Sequence, residues 1–274
     1  VGVTVIAFAT TAPELFVSTI GALNVSSDIG LGTIVGSNIA NIGLVLGVAA
    51  IIKPLDISDR LLRRHVPVMV FAAVLLVGLG ANGQVGRLEG TVLLAVLAGF
   101  TGLILHYANE ESAPMVDEPD ADATESGVSI RDIALVVGGL VALVVGSRWL
   151  VDGGTGLLSA LGVSDLVIGL TVLALGTSLP ELAASVVGAI RGHASFAVGN
   201  VVGSNIYNIL AVLGVVALIT PIEVAPETLR FEFPIMIAFT VLLVGLMGYQ
   251  RRLTRIDGVI LVVGYVVFIA LLVP

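Results

Sequence analysis

No cysteine occurs anywhere in the 274 residues, which excludes disulfides and thiolate metal sites. Charge is scarce as well: 12% of residues are charged, against about 25% in a soluble domain. Lys53 is the single lysine, and no basic patch points to nucleic acid. What fills the chain instead is hydrocarbon, 57% of residues, with a mean hydropathy of +1.11. A soluble protein of this size has too little interior to hide so much apolar surface. The net charge of −8 is concentrated rather than spread. Glu110, Glu111, Asp117, Glu118, Asp120, Asp122 and Glu125 all fall within 108–128.

Apolar runs near 20 residues read as membrane-spanning helices. They fall at 1–23, 29–52, 66–81, 88–106, 130–150, 164–190, 196–219, 233–249 and 256–273. The stretch 108–128, with Pro114, Pro119 and the acidic run, reads as a solvated linker. Glycine is frequent, 33 residues, as helices packed closely in lipid require.

An internal repeat decides the fold expectation. Thr10-Thr11-Ala12-Pro13-Glu14-Leu15 matches Thr177-Ser178-Leu179-Pro180-Glu181-Leu182, an offset of 167. Val35-Gly36-Ser37-Asn38-Ile39 matches Val202-Gly203-Ser204-Asn205-Ile206 at the same offset. So do Asn41 and Asn208, Pro54 and Pro221, Arg63 and Arg230, Pro67 and Pro234. After one inserted residue, Arg87, Glu89 and Gly90 pair with Arg255, Asp257 and Gly258.

The run at 130–150 precedes the second motif, and its counterpart would lie before residue 1. The expected fold is therefore an all-α integral membrane protein of two inverted repeats of five helices each, with the first helix outside this chain and nine spans within it. Residues 1–107 form the first repeat, 108–128 the linker and 129–274 the second repeat. Basic residues set orientation. Lys53, Arg60, Arg63, Arg64, Arg131, Arg191, Arg251, Arg252 and Arg255 fall on one side, and Arg87, Arg148 and Arg230 on the other. The first side is expected in the cytoplasm together with the linker, and the C-terminus outside.

Glu14 and Glu181 are the acidic residues deepest within the spans. A mid-membrane carboxylate costs at least a few kcal/mol and usually marks an ion or proton path. Two glutamates that merely join helices by hydrogen bonds are the bland alternative; the neighbours argue against it. Thr10 and Thr11 precede Glu14 by one helical turn, as Thr177 and Ser178 precede Glu181. Pro13 and Pro180 cannot donate to the carbonyls of Ala9 and Gly176, and so loosen backbone that survives at membrane depth only beside a cavity, water or an ion. Ser37 with Asn41, and Ser204 with Asn208, add oxygens one turn apart on the next helix. Gly36 and Gly203 allow close helix approach. Asn38 and Asn205 point away and read as packing residues. The set holds no mid-span His, Cys or Lys and is all oxygen, suited to Na⁺ or Ca²⁺ and not to Zn²⁺ or Cu⁺.

The motifs "GTSLPEL" at 176–182 with "GNVVGSNIYNI" at 199–209, and "ATTAPEL" at 9–15 with "GTIVGSNIANI" at 32–42, resemble the cation/calcium exchanger superfamily, most closely prokaryotic sodium/calcium exchangers. The resemblance covers nearly the whole chain. It implies two inverted repeats, alternating access, and Ca²⁺ and Na⁺ as transported ions with no cofactor. By motif, Glu14 and Glu181 would be shared ligands, joined on Ca²⁺ by the carbonyls of Thr10 and Thr177. The side chains of Thr11, Ser178, Ser37 and Ser204, with the carbonyls of Ala7 and Ala174, would serve flanking Na⁺ positions. Asn41 and Asn208 would line the centre.

Several positions depart from the pattern. Ala9 replaces the usual Gly, Thr11 stands where Ser is frequent, and Thr33 stands where the second repeat has Asn200. Neutral Asn208 argues against K⁺ cotransport. Gly203, where proton-coupled relatives carry Glu, favours Na⁺ coupling.

The expectation is thus a multi-pass cell-membrane antiporter that exchanges Na⁺ for Ca²⁺ and works as a monomer. A proton-coupled cation exchanger is the alternative, and an intramembrane hydrolase or a channel is more remote.

Overall fold

The computed structural model describes residues 14–15, 17–23, 27–110 and 130–272. Helix α1 spans Ile29–Ile52, α2 Leu61–Gly80 and α3 Arg87–Glu110. Then come α4 (Ile130–Ala160), α5 (Asp165–Thr177), α6 (Leu179–Arg191), α7 (Ala194–Ile219), α8 (Thr228–Gln250) and α9 (Arg255–Leu272). Among the described residues, six helices are long and apolar enough to cross a membrane, and a seventh span results if α5 and α6 count as one. The expected span at 1–23 lies largely outside the described residues. Helix α4 runs to Ala160, past the expected end at 150. Helix α3 continues to Glu110, three residues into the expected linker; the rest of the linker is not described.

Burial sorts the helices into layers. The most apolar stretches of α1 and α7 are 83% and 67% buried, those of α3 and α9 only 11% and 22%. The first two form the centre. The outer helices turn Phe71, Leu103, Leu105, Val241, Val263 and Val266 outward, the arrangement expected where the surroundings are lipid.

The repeat register seen in the sequence recurs in the backbone. A π-helical segment interrupts α1 at Asn41–Leu46 and α7 at Asn208–Leu213. Another opens α2 at Leu61–His65 and α8 at Thr228–Glu232. These two start both helices five residues before the expected 66 and 233. Pro67 and Pro234 follow directly, in the first turn of the α-helix proper. A proline ring crowds the carbonyl one turn back, and a wider turn makes room for it.

The halves exchange partners reciprocally. Strand β1 (Leu55–Asp56) pairs antiparallel with β4 (Arg252–Leu253), and β2 (Gln84–Val85) with β3 (Ile222–Glu223). Ile57 donates to the Arg251 carbonyl at 2.8 Å, and Val224, its counterpart, to the Gly83 carbonyl at 2.9 Å. Both acceptors are left-handed, at φ 87° for Gly83 and 51° for Arg251. The end of α1 packs on α9 and the end of α7 on α3, in both cases through glycine. A Cβ on Gly258 would fall 2.6 Å from the Gly47 carbonyl, and one on Gly90 2.8 Å from the Gly214 carbonyl.

The matched acidic residues at the start of α3 and α9 are caps. Glu89 accepts from the Gly86 N–H at 2.9 Å, and Asp257 from the Thr254 N–H at 2.7 Å. Each satisfies an orphan donor of the first turn.

Candidate ion-binding site

Pro180 breaks the helix where the sequence places the break. Helices α5 and α6 meet at 45°, with Ser178 between them at φ −84°, ψ 1°. The Ser178 N–H still reaches the Ala174 carbonyl at 3.1 Å, and the Leu182 N–H the Ser178 carbonyl at 2.9 Å. Pro180, lacking an N–H, has no such bond to give to Gly176. Glu181 thus lies in the first turn of α6, where the helix dipole favours negative charge.

Helix α1 brings the first repeat to this break. Gly36 makes the approach possible: a Cβ there would fall 2.7 Å from both the Leu170 carbonyl oxygen and the Ala174 methyl. One turn of contact follows. The Ser37 hydroxyl shares a hydrogen bond with the Thr177 hydroxyl at 3.2 Å and donates to the Ala174 carbonyl at 3.5 Å. The Thr177 hydroxyl also reaches that carbonyl, at 3.3 Å.

On the other side, α7 supports Glu181. The Ser204 hydroxyl donates to the Glu181 Oε1 at 3.3 Å. Asn200, one turn earlier, donates to the Glu181 main-chain carbonyl at 3.4 Å and to the Ser185 hydroxyl at 3.1 Å.

Glu14 completes the cluster. It is fully buried, as is Glu181, and the two carboxylates are close enough for their charges to act on each other. The Thr177 hydroxyl also faces Glu14, too loosely for good hydrogen-bond geometry. Neither Glu14 carboxylate oxygen has a hydrogen-bond partner among the described residues.

The asparagines divide between packing and the site. Asn41 donates to the Asn205 Oδ1 at 3.1 Å, and Asn205 to the Asn38 carbonyl at 3.3 Å. Asn38 and Asn205 are repeat counterparts, so the halves touch here at equivalent positions. Asn38 donates to the Ile34 carbonyl of its own helix. Both therefore serve packing, as read from the sequence. Asn208 is buried with neither side-chain atom partnered among the described residues, and the Ser178 hydroxyl and the Asn41 Oδ1 share that condition.

Buried polar atoms are normally hydrogen-bonded, and exceptions need a cause. Several of the exceptions among the described residues, at Glu14, Ser178, Asn41 and Asn208, belong to the repeated motifs, and nearly all are oxygens. A hard cation accepts such ligands. Among the described residues no three His, Cys, Asp or Glu side chains converge, so the donor set is two carboxylates plus neutral oxygens.

Of the expected site residues, Glu14, Glu181, Thr177, Ser178, Ser37, Ser204, Asn41, Asn208 and Ala174 are described, and all are buried. Hydrogen bonds and charge link Glu14, Glu181, Thr177, Ser37, Ser204 and Ala174 directly. Ala7, Thr10 and Thr11 lie outside the described residues. Asn200 is the supporting residue that site reasoning from the sequence did not assign. Its signal was the Asn one turn before Ser204, unmatched by Thr33.

The family described as sodium/calcium exchanger protein matches residues 1–105 and 132–273. The putative antiporter CaxA of Alkalimonas amylolytica is 35% identical, over 97% of this chain and 85% of that protein. The sodium/calcium exchanger MaX1 of Methanosarcina acetivorans is 32% identical, over 99% and 88%. A solved structure of the sodium-calcium exchanger NCX_Mj superposes with a TM-score of 0.78 at 30% identity, covering 98% of this chain and 85% of that one. With its helical membrane spans and repeated glutamate motif, the chain belongs to the sodium/calcium exchanger family of membrane transporters.

Proposed function

We propose that this protein is a secondary antiporter that exchanges Na⁺ for Ca²⁺ across the cell membrane by alternating access. The observation that carries the reading is the pair of buried, mutually interacting carboxylates, Glu14 and Glu181, beside the proline break. Two carboxylates balance one Ca²⁺, and smaller charges require more ions or protons to reach the same neutrality. A site that must be neutral before it crosses apolar protein couples one ion to the other.

In this reading Glu14 and Glu181 bind both ions, with the carbonyls of Thr10 and Thr177 on Ca²⁺. Thr11, Ser178, Ser37 and Ser204, with the carbonyls of Ala7 and Ala174, hold flanking Na⁺. Asn41 and Asn208 line the centre. The chain works as a monomer. Residues 1–107 and 129–274 are two repeats of opposite orientation, joined by an acidic cytoplasmic linker at 108–128, and the C-terminus is outside. The reciprocal strand pairing supports this plan, since a two-fold relation gives β1–β4 at one end and β2–β3 at the other. The basic loops also gather: the Lys53 ammonium lies 3.3 Å from a Cβ built on Gly192, and Arg252 pairs with Asp56 at 3.3 Å.

Proteoliposomes loaded with Na⁺ test the coupling. An outward Na⁺ gradient at equal pH is expected to drive ⁴⁵Ca²⁺ uptake. Uptake driven by a pH gradient alone, with none from Na⁺, would establish proton coupling instead.

A further inference from the structure

The two glutamates sit in matching Pro-Glu-Leu motifs but are not held alike. On the second repeat, Asn200 and Ser204 lie one turn apart on α7 and grip Glu181 at two points, main-chain carbonyl and Oε1. The Asn200 amide also joins Ser185, one turn after Glu181, and the Ser185 hydroxyl donates back to the Ala197 carbonyl of α7 at 3.3 Å. A closed set of hydrogen bonds thus fixes the first turns of α6 to α7.

On the first repeat the counterparts of Glu181, Ser185, Asn200 and Ser204 are Glu14, Ser18, Thr33 and Ser37. Thr33 carries a hydroxyl where Asn200 carries an amide. Its hydroxyl donates instead to the Ile29 carbonyl of its own helix at 2.7 Å. Ser18 is buried, and its hydroxyl has no partner among the described residues. Ser37 turns to Thr177 and Ala174. Among the described residues no equivalent of the Asn200 clamp forms on Glu14.

We propose that Asn200 is a positioning residue that presets Glu181 for its ion, and that Thr33 leaves Glu14 as the adaptable carboxylate of the pair. The inference rests on the reading that both glutamates bind the transported ions. A preset ligand spares ordering cost when the ion arrives. An adaptable partner accommodates Ca²⁺, whose coordination is flexible, and Na⁺ in turn.

The test uses the full chain in proteoliposomes, with half-saturating Ca²⁺ and maximal exchange rate measured separately. Asn200→Thr copies the first-repeat residue into the second. Loss of a buried hydrogen bond of about 1 kcal/mol is expected to raise half-saturating Ca²⁺ roughly three- to tenfold, with little change in maximal rate. Installing the clamp on the other repeat, T33N/N200T, is expected to bring half-saturation back to within about threefold of wild type. A purely structural asparagine would not be rescued from 167 positions away.

If Asn200→Thr folds poorly, Asn200→Ser provides the same comparison. For either variant, the rise in unfolding temperature on adding Ca²⁺ to purified protein is expected to be smaller than for wild type. Wild-type exchange with unchanged half-saturation and unchanged Ca²⁺ stabilisation in the variants overturns the inference alone, as does a loss that the swap fails to restore. Absence of any Ca²⁺ exchange by the wild type overturns the functional reading, and this inference with it.

Discussion

At the scale of single residues, the site is a matter of which buried oxygens have partners. Ser204 supports Glu181 directly, whereas Ser37 reaches the Thr177 hydroxyl and the Ala174 carbonyl. Ser204→Ala is therefore expected to weaken Ca²⁺ binding by roughly tenfold or slightly more, since a hydrogen bond to a charged group is worth about 1.5 kcal/mol at the low end of its range. Calorimetric titration of the purified variant measures it. Glu14 and Glu181 stand out in the sequence because the motif occurs twice, and chance does not repeat a proline, a carboxylate and two hydroxyls in one register. The Asn200 clamp was not legible. Motif matching finds residues that agree between repeats, and this one works where they disagree, at Thr33.

At the scale of elements, the proline break and the glycine contacts set the geometry. Pro180→Ala restores a donor to the loosened turn and is expected to reduce the 45° bend between α5 and α6. Exchange should fall steeply while the protein stays folded, since a straightened helix moves Glu181 away from Glu14; flux and thermal unfolding on the same sample separate the two effects. Gly36→Val puts branched carbon where even a Cβ would be 2.7 Å from the Leu170 carbonyl. Backbone cannot yield as a side-chain tip can, so the expected result is a lower unfolding temperature, with exchange lost alongside. The bend was legible from Pro180. The π-helical turns were not, because five or six residues of apolar sequence read the same in either helix type; for the pair at the starts of α2 and α8, their place ahead of Pro67 and Pro234 gives a cause. The two-residue strands escaped notice for the same reason of length.

At the scale of the whole molecule, the halves are tied by exchanged partners at both ends. At the end carrying β1 and β4, Arg251 pairs with Asp59 and Arg252 with Asp56. The side chains of Arg251 and Asp59 are about half exposed, 55% and 52%. Exposed pairs are worth about 0–1 kcal/mol, so Asp59→Asn is expected to shift the unfolding temperature by little, and less still at high salt. The close packing between the halves lies instead in the glycine-mediated contacts of α1 with α9 and α7 with α3. The repeat register was legible in the sequence, but the left-handed turn that Gly83 and Arg251 share was not, since one position is Gly and the other Arg. Arrangement in space was not, since a sequence offset does not say which element of one half touches which of the other.

The central claim is that one Ca²⁺ is held by both carboxylates at once. Titration of Ca²⁺ into the purified wild-type protein, Glu14→Gln and Glu181→Gln tests it most directly. The account predicts one high-affinity Ca²⁺ per wild-type chain and its loss in each single variant, with the fold retained. Full Ca²⁺ affinity in either variant would contradict it.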